Sequence, residues 1–152
     1  MKITLRQAVE SQGALGKCCN QVSLFSVTDL LRLGRVLKAV KSELENYQQV
    51  MAQLRQKNGT YNEMIDEGQD KSFYSFTPDQ TNRLEADHLF LLKEEIEVPL
   101  KEKFAYSVFE KLIDPKKKQK DDKIDQLTVA EVAVLDWLID FPGVDDDESP
   151  TV

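Results

Sequence analysis

The chain has a single histidine, His88, among 152 residues. No cluster of imidazoles can therefore hold a metal, and any Ser–His or Cys–His pair must use this one ring. Its two cysteines, Cys18 and Cys19, are adjacent. A vicinal disulfide needs a strained ring that a helix does not readily accommodate, and without CxxC or a second thiol pair neither redox catalysis nor a zinc site has support. The expectation is two small residues, at least one of them facing a core. Phosphate-cradling glycine loops are missing, since neither GxGxxG nor GxxxxGK occurs, and GxSxG is absent too. Neither DEGQD at 66–70 nor KDDKID at 120–125 has the ligand spacing of a calcium loop. No run approaches the roughly 20 apolar residues of a membrane span. The start, MKITLRQAVE, lacks an apolar stretch of signal-peptide length. A cytoplasmic protein with no cofactor, metal or membrane partner is expected.

What is present points to a packed helical protein. A hydrophobic fraction of 41% beside 31% charged residues, with only six Gly and five Pro, fits a helix-rich globular chain rather than a disordered one. The length suits one domain, expected over residues 1–143, followed by a disordered acidic tail at 144–152. The net charge of −7 disfavours direct nucleic-acid binding, which needs a basic face. The lysines of PKKKQK at 115–120 are followed at once by two aspartates and have no interleaved aromatic platform. They read as part of a charged, mobile linker over 114–126.

Helix starts are the clearest local signal. A Ser or Thr followed three residues later by Gln, Glu or Asp can cap the first turn of a helix reciprocally. The pattern occurs at Thr4 with Gln7, Ser26 with Asp29, Thr77 with Gln80, and Thr128 with Glu131. Helices are expected over 5–20, 27–57, from Thr77-Pro78 to about Lys93, and over 129–140. In the second, Leu30, Leu33, Leu37, Val40, Leu44, Tyr47, Met51 and Leu54 advance by threes and fours as an apolar seam, and Asn58-Gly59 supplies the stop. The seam suits an intramolecular hairpin, a homodimer through the long helix, or docking of a helix from another protein.

The segment LLKEEIEVPLKEKF at 91–104 changes period, with Ile96, Val98 and Leu100 alternating against Glu95, Glu97 and Pro99 as in a half-buried strand. SFYSF at 72–76 is the other strand former, and TYNEMIDEGQD before it reads as a polar loop. The two segments flank the third helix and are expected to pair. The fold class is then α+β, predominantly helical, with a long-helix hairpin core and a small two- or three-stranded sheet. Residues 104–113 suggest a short helix or an irregular hydrophobic segment.

Chemistry is sparse. Glu94, Glu95 and Glu97 are the candidate site residues, as a solvated acidic face or a recognition surface for a basic partner. Acid–base work would need them buried or mutually close. His88, in EADHLF, reads as a structural histidine, on the surface or half-buried.

The order of KITLRQAVESQGALGKCCNQ, LLRLGRVLKAVKSELENYQQVMAQLRQKNG, LLKEEIEVPL and LTVAEVAVLDWLI resembles a family of small proteins of tailed phages and prophages, most of unknown function. That family joins a short N-terminal helix, a long charged helix ending near a Gly, a Glu-rich segment running into a Pro-containing strand, and a closing helix. The resemblance spans most of the chain apart from 114–126 and the tail. Cys18-Cys19, VSLFSVTDL and the lysine-rich insertion depart from the pattern. It implies a phage or prophage origin and supplies no active-site residues. The leading expectation is a non-enzymatic factor acting through a protein partner, phage structural or host, as an accessory of virion or tail assembly. The alternatives are an acidic inhibitor of a host or defence nucleic-acid-binding protein and, more remotely, a carboxylate-dependent hydrolase using His88 and the Glu94–Glu97 region.

Overall fold

A computed structural model of the chain describes residues 1–117 and 124–143. The expected disordered tail at 144–152 and the central part of the charged linker lie outside the described residues. In chain order the elements are β1 (Lys2–Thr4), α1 (Leu5–Cys19), α2 (Val27–Asn58), β2 (Thr60–Asn62), β3 (Ile65–Asp66), β4 (Gln69–Asp70), β5 (Phe73–Ser75), α3 (Pro78–Leu92), β6 (Glu95–Glu97), β7 (Phe104–Ala105), α4 (Tyr106–Ile113), α5 (Val129–Ala133) and β8 (Ile139–Asp140). Short 3-10 turns occupy Val22–Leu24 and Pro115–Lys117. The fold is predominantly helical α+β, built along one 32-residue helix.

The helix starts form as their sequences dictate. Thr4, Thr77 and Thr128 each accept from the amide three residues on, while the Gln or Glu there bonds back to the cap amide. Ser26 completes only half of this exchange. Its hydroxyl accepts from the Asp29 amide and donates to the Asp29 carboxylate, because the shorter Asp side chain stays with the hydroxyl.

One hydrophobic core holds the body of the molecule. Leu5, Ala8, Leu15 and Cys18 of α1 pack with Leu33, Val36, Val40 and Leu44 of α2, and Ile96, Val98, Leu100, Phe104, Phe109, Leu112, Leu135 and Leu138 close the cluster. Phe109 sits edge-on to both Phe25 and Phe104, and the Arg32 guanidinium lies 4.2 Å from the centre of the Phe104 ring. Each fully buried Leu or Phe here contributes roughly 1.5–3 kcal/mol.

Two expectations are corrected. The segment EIEVPL does turn Ile96, Val98 and Leu100 inward, but its strand β6 pairs antiparallel with β1, Ile96 opposite Ile3, and not with SFYSF. SFYSF, as β5, pairs with β2 instead. The reason is the length of α3. Its 15 residues span about 22 Å, and the strands leave its two ends through joints too short to fold back along it. Each strand takes the partner found at its own end, so among the described residues four separate two-stranded pairings replace one sheet.

The closing helix is also shorter than expected. After α5 ends at Ala133 the chain turns into β8, which runs parallel to β7. Trp137, Leu138 and Ile139 are buried consecutively, and three successive residues cannot share one face of a helix. At Gly59 the helix α2 stops as expected, and the chain leaves it in extended backbone. The glycine is needed for close approach. A Cβ there would meet the Arg55 carbonyl and the Phe76 ring, both at 2.8 Å.

Candidate functional site

Past Leu44 the long helix leaves the core and forms an arm with α3 and the hairpin between them. Its packing is thin: Met51 and Leu54 of the expected seam are only half-buried, and Leu92 alone is buried on α3. Polar contacts join the two helices. The Tyr47 hydroxyl lies 2.7 Å from Nε2 of His88, which makes that ring a half-buried structural group. Asn58, one of two buried polar residues among those described, donates its amide to the Leu54 carbonyl and to the Asp87 carboxylate at 3.0 Å. Lys57 reaches the same carboxylate at 3.1 Å. The Asn58 hydrogen bond, and then Lys57, hold the Asp87 carboxyl below its ordinary pKa.

The expected polar loop at 60–70 is an ordered hairpin, a second departure from sequence reading in this region. Tyr61 pairs with Tyr74, their rings 5.4 Å apart, and Asn62 bonds the Ser75 hydroxyl. Farther out, Ile65 opposes Asp70 around the two-residue turn Glu67-Gly68, where both residues have positive φ. That is the mirror-image turn whose twist matches a hairpin. An isolated two-stranded ribbon has no buried face to stabilise it. Here it carries Tyr61, Met64, Ile65 and Phe73 between 46% and 69% exposed.

A second apolar surface runs along the arm itself. Val50, Leu54 and Leu91 line a groove of about 310 Å³, with Lys57 and Asp87 toward one end and Glu94 toward the other. Phe90 stands on its margin, 73% exposed.

The three glutamates singled out by sequence are exposed and are not gathered into one site. Glu95 pairs with Lys2 at 3.7 Å and Glu97 with the N-terminal ammonium at 3.4 Å, both across the β1–β6 pair. Glu94 borders the groove. His88 is engaged by Tyr47 and not by these carboxylates. Burial pushes the Cys18 thiol up to about 12 and raises Cys19 as well, and both are free. Among the described residues no group of His, Cys, Asp and Glu could hold a metal ion, and no helix is long and apolar enough to cross a membrane.

The sequence reading missed the groove and the exposed tip. Val50 falls outside the strict three-four seam, and Phe90 follows the histidine in a segment read for chemistry. The Glu67-Gly68 turn was visible as a Gly after a charged residue. Comparison of the chain with protein-family models, curated proteins and solved structures returns no match.

Proposed function

We propose that this is a phage or prophage protein acting without catalysis, as an accessory of virion or tail assembly, and that the hairpin tip of the arm makes the partner contact. The observation that carries the contact is the exposure of Tyr61, Met64, Ile65 and Phe73 on a ribbon with no core of its own. Exposed apolar clusters of this kind mark interaction sites, and aromatic residues are favoured anchors in them. The outer edges of β2 and β5 are open to strand addition as well. The phage assignment is supported by the order of sequence segments alone. Of the acidic trio, Glu94 has the clearest access to a partner, because Glu95 and Glu97 already face cations of the chain itself.

The test is capture of the tagged full chain from its host during induction, at low and high salt, beside a Tyr61→Ser/Ile65→Ser/Phe73→Ser variant. Virion or tail components retained by the wild type at both salts and lost by the variant support the proposal. A salt-sensitive nucleic-acid enzyme, held equally by the variant, would favour the acidic inhibitor instead, since charge-driven contacts weaken with screening. A Glu94→Ala/Glu95→Ala/Glu97→Ala variant that leaves the complex unchanged would remove those residues from the contact.

A further inference from the structure

We infer that the cleft between α2 and the loop at residues 98–103 is an anion site that takes a phosphate group, held by Arg32, Arg35 and Lys101. The cleft has a volume of about 340 Å³, and these three cations share its wall with Pro99, Leu100 and Glu102. Small-molecule sites begin at about 300 Å³. The chain carries a net charge of −7, yet α2 has no acidic residue from Leu30 to Ser42. Arg35 and Lys101 are exposed and make no ion pair among the described residues.

Both walls of the cleft are held in place. The Arg32 guanidinium lies 4.2 Å from the centre of the Phe104 ring and donates to the Glu102 carbonyl at 3.3 Å. Its ion pair with Asp29 is long, at 3.5 Å, so part of its charge and several of its N–H donors remain for a ligand. The loop is pinned at both ends: the Val98 amide bonds the Met1 carbonyl, the Phe104 amide bonds the Leu138 carbonyl, and Leu100 is buried between them. The amides of Lys101 and Glu102 find no acceptor among the described residues, which adds donors on that side. Arg32 and Arg35 stand one turn apart on the helix, their Cβ atoms about 5–6 Å from each other, and like charges so placed repel. The fold sets Lys101 beside them. Glu102, the one acid on the wall, bridges none of the three with its carboxylate. A bound anion would relieve this repulsion. One arginine fork satisfies a planar carboxylate, whereas cations converging from two walls match the several oxygens of a tetrahedral phosphate.

The test is titration of inorganic phosphate into the isotope-labelled full chain at constant ionic strength, followed by amide chemical shifts, with Trp137 fluorescence as the control for folding. Shifts confined to residues 32–35 and 99–103 should saturate with one Kd in the millimolar range or below. Arg35→Ala/Lys101→Ala should raise that Kd at least about tenfold. Glu102→Gln should lower it about threefold. Lys41→Ala/Arg55→Ala, which removes the same charge from α2 outside the cleft, should leave it unchanged. Vesicles of phosphatidylcholine containing phosphatidic acid locate the source of the phosphate. Co-sedimentation of the wild type but not of Arg35→Ala/Lys101→Ala assigns it to a lipid headgroup, and no sedimentation beside saturable phosphate binding assigns it to a soluble ligand. Shifts that spread over the surface cations without saturating would overturn the site, as would equal weakening by the two double variants or acetate binding as tightly as phosphate. None of these readouts involves the hairpin tip, so the site is tested independently of the proposed partner contact.

Discussion

The two halves of α2 are the same helix in different company. Up to Leu44 it buries Leu33, Val36, Val40 and Leu44 under α1, the β6 segment and the aromatic cluster around Phe109. Beyond Leu44 it has α3 on one side, and the side chains that continue its seam are half-buried. The difference is in how many layers cover the helix. A body with a shared core resists opening as a unit, whereas an arm held by one neighbouring helix and a few polar contacts opens more easily. The same thinness leaves apolar surface available for contact.

The sharpest way to break the contrast is to cut the same amount from each half. Leu33→Ala should cost about 2–5 kcal/mol in denaturant unfolding, because a side chain packed on all sides leaves a cavity. Leu54→Ala should cost only about 1 kcal/mol, since much of that side chain is already near solvent. Trp137, the only tryptophan and buried in the body, reports unfolding of the body by fluorescence. Equal losses at the two sites would erase the distinction.

Gly59→Ala comes next. The added methyl collides with Phe76 and with the end of α2, so a loss of about 1–3 kcal/mol is expected, seen as faster amide exchange in the arm while exchange in α1 is unchanged. Asn58→Ala should loosen the arm by about 1–2 kcal/mol, read in the same way, because Asp87 keeps Lys57 but loses its buried amide donor.

Acid gives a smaller, signed effect. The Asp87 carboxyl is held below its ordinary pKa in the fold, so its contribution is present above the usual carboxylate range near pH 4 and is lost as the pH falls through the lowered value. Exchange in α3 should accelerate there beyond its intrinsic pH dependence, and Asp87→Asn should remove that excess. An excess that survives the substitution would assign it to another group. The smallest effect is expected from a thiol reagent near neutral pH. The buried Cys18 should not react in the native protein and should react once it is unfolded.

Much of the body was legible in sequence, and the arm was legible mainly in its helices. Thr4, Thr77 and Thr128 announced their helices because capping is local chemistry, completed within four residues. Ile96, Val98 and Leu100 announced an inward strand because alternation reports burial. Their strand partner was not legible. Which segments meet depends on the span of α3, and the Lys2–Thr4 strand is too short to declare itself. In the hairpin at 60–75 SFYSF announced its strand, but the segment it pairs with was hidden, because residues 60–70 have no buried face and so no apolar alternation marks them. Trp137, Leu138 and Ile139 misled for the opposite reason, since burial on every side removes the period that separates a strand from a helix. Of the candidate site, Glu94 was in view, but the groove beside it needs Val50, Leu54 and Phe90 brought together from two helices.

Hydrogen exchange of the full chain, followed by mass spectrometry, tests the division of labour most directly. Helix α1 and residues 33–44 should be strongly protected, while the hairpin and α3 exchange much faster. An arm as protected as the body would contradict the account.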